Sequence, residues 1–583
     1  MRRAITVSGM VILFLLGTMA PSPQTSAVRR PSTQRKNTRA TKVSPASMSR
    51  SQRFRQLFDC DEGGAYCADV ATHKSYEGKY TGHDEPALLF YSNKPGSGNS
   101  AIFRLTLPTD PPTPPQQDGT GGTFNFQTQG AFWFSMALCD NESAPAPDLN
   151  HVCTPDSDAN IWEGTDPTKP KFVGLHPGGA FMELQFYAPG WVTSADPTHW
   201  LAAMTIDSLN ASFATPTIVG DFLFPTFNNA DCLDTVGEEP LNFAFITRNG
   251  RPQGPPDPLG SIASDEASEA TFLPNPQKAL FMNPGDHLLV AMHDSPAGFR
   301  VVIVDLTTRR IGLMTASAQN GFAQVLYQPT AATCSEHPYN FHPMYSTSSE
   351  ATRVFWTAHA LNVGFSSEIG HFEYCNSVDS TFNCTAAGVS EPDGMIDDDD
   401  VVCFDTRPGS PFFFGGIFVP TAGCIFDDLD FDSVSYGDNY PGSLADPVQD
   451  ILLHGTPLQF TSLRFSGPGG VANYDRIAFE SNIPGNETAT FPPLCDLSTG
   501  NGCVNPPPGT AFYPIYTTAV ASGRCVWEFG GANSPSATNT FGGNANAEFG
   551  PLITTNFSLG PFVIPIYGLY RQVLPMNPCP ARP

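Results

Sequence analysis

The feature that bears hardest on the fold is a succession of short apolar or alternating runs, none with a helical period. AIFRLTL at 101–107, TFNFQTQ at 123–129, AFWFSMALC at 131–139, AFMELQFY at 180–187, LAAMTIDSL at 201–209 and NFAFIT at 242–247 all read as strands. A strand turns successive side chains to opposite faces, so a period of two, or a short continuous run, is its signature. HLLVAMHD at 287–294, FRVVIVDLTT at 299–308 and IGLMTAS at 311–317 form a meander, with Pro-Ala-Gly and Arg-Arg turns between them. SSEIGHFEYC at 366–375, PFFFGGIFVP at 411–420, IAFES at 477–481 and FVIPIYGLY at 562–570 continue the pattern, separated by Pro-Gly and Asn-Gly turn signals. No stretch combines caps with the period of a long amphipathic helix. The expected fold is all-β: two or more antiparallel β-sandwich or jelly-roll units with long Pro/Gly-rich loops. The 56 Pro and 52 Gly alone would suggest disorder, but 44 Phe supply the apolar area that a core needs.

The organisation along the chain follows from charge. Arg2 and Arg3, the apolar run 4–16 and small residues near position 20 or 27 read as a secretory signal peptide over 1–27. Residues 28–56 carry nine Lys or Arg and no acid, a disordered basic leader. The remainder, from Asp59 on, holds 19 basic and 56 acidic residues, a formal charge of −37. Such a surface repels phosphate backbones and anionic lipids, which argues against nucleic acid as a partner. It suits a neutral extracellular glycan, a cationic cell-surface component or bound calcium. No later run is long enough to span a bilayer, so no membrane span is expected in the mature form. A β-sandwich region is expected over 57–330 and a second β-rich region over 331–583. The boundary falls where Pro, Ser and His interrupt the strands at 327–344.

Fourteen cysteines, none in C-x-x-C, behind a signal peptide point to up to seven disulfides in an oxidising, extracellular compartment. Spacing suggests the short-range pairs Cys60–Cys67, Cys139–Cys153, Cys375–Cys384, Cys403–Cys424 and Cys495–Cys503. Asn141, Asn210, Asn383, Asn486 and Asn556 open Asn-x-Ser/Thr sequons, glycosylation candidates if the secreting cell is eukaryotic.

Two acidic stretches invite a cation. GCIFDDLDFDSVSYGD at 423–438 gives Asp428, Asp430 and Asp432 the alternate spacing that wraps oxygen ligands around Ca²⁺, with Asp438 as a distal ligand. It is not an EF-hand loop, because Ser433 and Asn439 stand where Gly and Glu are needed. EPDGMIDDDD at 391–400 adds four adjacent aspartates that repel one another unless solvated or neutralised. A structural cation is favoured by a small margin, with a solvated acidic loop, then catalysis, as the alternatives. SEHPYNFHPM at 335–344 offers His337, His342 and Met344 as soft-metal donors, without a His-x-His pair to support them.

For catalysis, AFMELQFYAPGW places Glu183, Gln185 and Tyr187 on one strand face with Trp191 beyond, a carboxylate, an amide and aromatics suited to a sugar. Glycosidases use two carboxylates about 5–9.5 Å apart. Glu183 is one candidate; Asp207, Asp294 or Glu373 is the other. His371 and Glu373 in SEIGHFEYC share a strand face about 7 Å apart, an acid–base pair or half a metal site. The bland alternatives are a solvent-facing strand and a hydrogen-bonded structural histidine. There is no G-x-S-x-G, H-E-x-x-H or P-loop, which disfavours a serine esterase of the usual fold, a typical zincin and an ATPase.

EIGHFEYC, DLDFD, LLHGTPLQFTS and FGGNANAEFGP together resemble a group of uncharacterised secreted bacterial proteins, over most of the chain after residue 80. The resemblance implies a secreted, cysteine-containing protein and transfers no catalytic residue. Three functional readings result: a glycan-directed hydrolase using paired carboxylates, a calcium-stabilised carbohydrate-binding or adhesion protein without turnover, and a structural surface protein.

Overall fold

The structure, a computed structural model, describes most of residues 87–109, 131–160, 179–189, 198–348, 456–481, 516–529 and 552–582, with five short strands between 363 and 419. The protein is all-β, in antiparallel sheets. The first nine-stranded sheet runs, edge to edge, through Leu552–Leu559, Phe562–Leu574, Arg476–Ser481, Ala87–Tyr91, Val363–Ser366, Ala131–Cys139, Gly179–Tyr187, Leu201–Ser208 and Leu241–Phe245. The second runs through Arg310–Ala316, Phe299–Asp305, His287–His293, Ser100–Thr106, Leu458–Phe460, Arg524–Phe529 and Tyr516–Ala521. Arg464–Gly467 also pairs with Ser100–Thr106, and Gly470–Asn473 pairs with Arg464–Gly467.

The meander expected over 287–317 is present, and its turns have local causes. Asp305 accepts the N–H groups of Thr307 and Thr308 at 2.9 Å each, which folds the chain back before Arg310. Gly298 sits at φ +124°, and a Cβ there would lie 2.2 Å from the Ala316 carbonyl oxygen, so glycine is required.

Strands from both sides of residue 330 join in each large sheet. Ala87–Tyr91 pairs with Arg476–Ser481, Ser100–Thr106 with Leu458–Phe460, and Ala131–Cys139 with Val363–Ser366. The described strands therefore do not separate into regions at 330. Within 327–344, Glu336–Pro338 pairs with Ala323–Val325, and Cys334 is bonded to Cys232.

The sheets meet through alternating apolar side chains. Phe132, Phe134, Met136 and Leu138 point inward from one strand of the first sheet, and Met182, Leu184 and Phe186 from its neighbour. Phe103, Leu105, Val290, Met292, Val301, Ile303, Phe460 and Trp527 come from the second. Phe134 stacks on Phe103 with ring centroids 4.1 Å apart and meets Phe460 edge-on at 5.5 Å. The opposite face of the first sheet is also buried, with Leu89, Tyr91 and Trp133 forming their own cluster. Burial on both faces is why AFWFSMALC is apolar throughout rather than alternating.

Three disulfides join described cysteines, and none of these cysteines is free. Cys139–Cys153 is the expected short-range pair. Cys232–Cys334 and Cys525–Cys579 span 102 and 54 residues and escape any reading from spacing. Cys375 and Cys384 stand on the two strands of one hairpin. The readings for Cys60–Cys67, Cys403–Cys424 and Cys495–Cys503 fall outside the described residues. Asn210 is fully buried and donates to the Gly237 carbonyl at 3.3 Å, so this sequon is closed to glycosylation in the folded chain. Among the described residues, no helix is long and apolar enough to cross a membrane.

Phe134 is fully buried against rings from both sheets. Phe134→Ala should cost about 3–5 kcal/mol, the range for removing a large core aromatic, read as a lowered urea midpoint.

Candidate functional site

Of the residues the sequence singles out, Glu183, Gln185 and Tyr187 do share a face, the one turned away from the shared core. They bond to one another along the strand. The Tyr187 hydroxyl donates to Gln185 Oε1, and Gln185 Nε2 donates to Glu183 Oε2 at 2.5 Å. In register, Glu183 lies between Ser135 and Thr205, while Asp207 lies opposite Phe181. Asp207 is thus a diagonal neighbour of Glu183 on the same face, about 7–8 Å away by strand geometry. The expectation of an open sugar platform needs correction here. Glu183 is 2 % and Tyr187 5 % exposed, and the Glu183 carboxylate is already engaged by an amide. Period two fixes which side chains share a face; it does not say whether the face is covered.

Asp294 belongs elsewhere. It follows the His287–His293 strand of the second sheet, and its carboxylate meets His342 Nδ1 at 2.8 Å. Its backbone N–H is held by the Asn99 carbonyl at 3.1 Å, and Asn99 Nδ2 donates to Asp156 Oδ1 at 2.8 Å. Asp156 is positioned from several directions. The Cys139–Cys153 disulfide anchors its loop, its N–H donates to the Pro343 carbonyl at 2.6 Å, and it holds a left-handed φ of 51°. Asp158, two residues on, accepts the Thr347 N–H and hydroxyl at 2.9 and 2.8 Å.

The electrostatics of this strand end are uneven. The hydrogen bond to Asp294, with the charges of Asp294 and Asp156, raises His342 above its ordinary value despite burial. Burial, then the charges of Asp294 and Asp158, raises Asp156, although the Asn99 hydrogen bond and His342 oppose this. Burial and Arg300 lower His293. The His342 and Asp294 side chains remain 23 % and 28 % exposed, so this centre is open to a ligand. An imidazole oriented by a carboxylate, beside a carboxyl that keeps its proton to higher pH than usual, is an acid–base arrangement. In the sequence Asp294 stands out as a carboxylate and His342 only as a metal donor. Asp156, in TPDSD, carries no local signal.

The soft-metal reading of 335–344 does not assemble. Met344 is fully buried, His337 packs edge-on to Tyr339, and His342 is taken by Asp294. No group of three or more His, Cys, Asp or Glu among the described residues could hold a metal ion. Trp191, His371, Glu373, and the calcium candidates Asp428, Asp430, Asp432 and Asp438 lie outside the described residues.

A second carboxyl pair joins Glu336, two residues after Cys334, to Asp257. Glu336 accepts the Leu259 N–H at 3.2 Å and is hydrogen-bonded to Asp257, whose Oδ2 accepts the Gly260 N–H at 2.6 Å. Burial, followed by the Asp257 hydrogen bond and charge, pushes the Glu336 carboxyl up to about 8.

No family model, curated protein or solved structure matches the chain.

The Glu336 shift makes stability depend on pH in a stated direction. Between the ordinary value of 4.5 and about 8 the folded state keeps a proton that the unfolded state has lost. Stability therefore falls as pH rises through that window. Glu336→Gln keeps a hydrogen-bonding group without the proton. The variant should melt with wild type near pH 4 and above it near pH 9, with a flatter profile between. Parallel profiles would contradict the shared proton.

Proposed function

We propose that the protein is a secreted, disulfide-stabilised enzyme that hydrolyses an extracellular glycan with paired carboxyl groups. The observation that carries this reading is the half-exposed strand end where Asp156 and Asp294 flank His342. Asp156, exposed to solvent and raised above the ordinary carboxyl value, gives its proton to the leaving oxygen. Asp294, oriented against His342, takes a proton from the attacking water as the C–O bond breaks. The acidic body favours a neutral glycan over an anionic polymer. Secretion is supported by the leader pattern and by the disulfides.

A second reading is a calcium-stabilised carbohydrate-binding or adhesion protein without turnover, because one observation weighs against turnover on the first sheet. The Glu183 carboxylate, the first catalytic candidate, is buried and bonded to Gln185.

Reducing-end release from a panel of neutral polysaccharides separates the two readings. Asp156→Asn and Asp294→Asn should each lower the rate by about 10²–10⁴. The wild-type rate should peak on the acid side of neutrality and fall as Asp156 loses its proton. Full activity in both variants, or a rate still rising in alkali, would exclude this centre. Glycan retention with no release would favour the binder.

Calcium at Asp428, Asp430 and Asp432 is tested by melting metal-stripped protein. At a hundredfold excess over Kd, Ca²⁺ should stabilise by about 2.7 kcal/mol, and Asp430→Ala should remove the gain.

A further inference from the structure

The outer face of the second sheet carries a polar row that runs across the strands rather than along them. Glu528 lies opposite Gln459, Gln459 opposite Thr106, and Thr106 opposite His287. These four side chains stand on adjacent strands and on one face, because Trp527, Phe460, Leu105 and Leu288 beside them all point into the core. Three strand spacings make the row about 14 Å long. Its members pair within it: Gln459 Nε2 donates to Glu528 Oε1 at 2.6 Å, and the Thr106 hydroxyl meets His287 Nδ1 at 3.0 Å.

The row is graded in exposure. Glu528 is 5 % exposed, Gln459 and Thr106 are half-buried, and His287 is exposed. Within the row one oxygen lacks a partner, as do Arg464 Nε and Asn473 Oδ1 elsewhere in the sheet. Glu528 Oε2 is buried and accepts no hydrogen bond. A buried carboxylate oxygen without a donor is costly, and a native sheet does not keep one without reason. It needs a donor from outside the row. The Gln459 carbonyl is a second acceptor beside it, so the matching ligand presents several donors in sequence. A metal ion is a poor match, because the row holds a single carboxylate.

We infer that the Glu528–Gln459–Thr106–His287 row is a binding subsite for the hydroxyl groups of a neutral sugar chain. The inference shares the glycan class of the proposed substrate but does not depend on Asp156, Asp294 or His342. The row and Asp294 stand at opposite ends of the His287–His293 strand, about 20 Å apart. A chain of several sugars could be anchored at one end and cleaved at the other. Carboxylate and amide acceptors read sugar hydroxyls through charge-assisted and neutral hydrogen bonds, and the length of the row leaves room for more than one ring.

The test is direct binding by titration calorimetry, on the full protein carrying Asp294→Asn so that cleavage does not interfere. Cellohexaose, xylohexaose and mannohexaose are the neutral probes, and a chitosan hexamer is the cationic arm. At least one neutral probe should bind. Glu528→Gln and Gln459→Ala should each weaken it tenfold or more, with melting temperatures close to the parent. Thr106→Val, at the more open end, should weaken it less and guards against misfolding at Glu528. Unchanged affinity in both Glu528→Gln and Gln459→Ala overturns the inference. So does the absence of binding to every neutral probe, or binding of the chitosan hexamer alone. Binding that depends on Glu528 without any reducing-end release by the Asp294 wild-type protein would sink the hydrolase reading and leave the subsite standing.

Discussion

The contact on which the rest of the fold depends is the meeting of Phe134, Phe103 and Phe460 between the two sheets. The three rings come from chain segments separated by as much as 357 positions. Neither sheet can be completed from one region of the sequence. The strands at 87–91 and 100–106, close in the chain, enter different sheets, and each finds partners beyond residue 456. Such non-local antiparallel pairing carries a large closure entropy and makes folding slow. The long-range bridges Cys232–Cys334 and Cys525–Cys579 act against that entropy, the second joining a strand of the second sheet to Cys579 in the shared core.

Local features of this architecture were legible in the sequence, and long-range ones were not. The meander at 287–316 could be read with its turns because a hairpin is specified by neighbours: an aspartate that caps the returning chain and a glycine at positive φ. The pairing of Ala87–Tyr91 with Arg476–Ser481 has no such signature, and a boundary near 330 followed from a local loss of strand pattern that both sheets simply cross. The same division holds at the sites. The shared face of Glu183, Gln185 and Tyr187 follows from period two. The diagonal placement of Asp207 follows from strand register, and the burial of Glu183 from tertiary packing, neither of which a single strand encodes. Asp156 was invisible because its position depends on a disulfide, a backbone hydrogen bond to Pro343 and a left-handed turn.

The charge balance explains why so few carboxylates stand out. With 56 acids against 30 bases in the chain, and 11 of those bases before residue 59, the folded body has too few cations to pair its carboxylates. The structure satisfies them with uncharged donors instead. Asp140, fully buried, accepts the Glu142 and Ser143 N–H groups at 2.9 and 3.0 Å, Gln324 Nε2 at 2.8 Å and the Ser208 hydroxyl at 2.6 Å. Asp305 caps a turn, Asp158 holds Thr347, and Glu183 is met by Gln185. Hydrogen bonds from neutral groups stabilise a carboxylate where it is needed without the desolvation of a second buried charge. Against that background, besides the Glu336–Asp257 pair that shares a proton, two groups depart. Asp294 is paired with a titratable imidazole at an accessible strand end, and Glu528 keeps one buried oxygen with no donor. A fold that caps its carboxylates with amides, hydroxyls and backbone N–H groups makes such exceptions informative: one marks where a proton can move, the other where a donor from outside can be received.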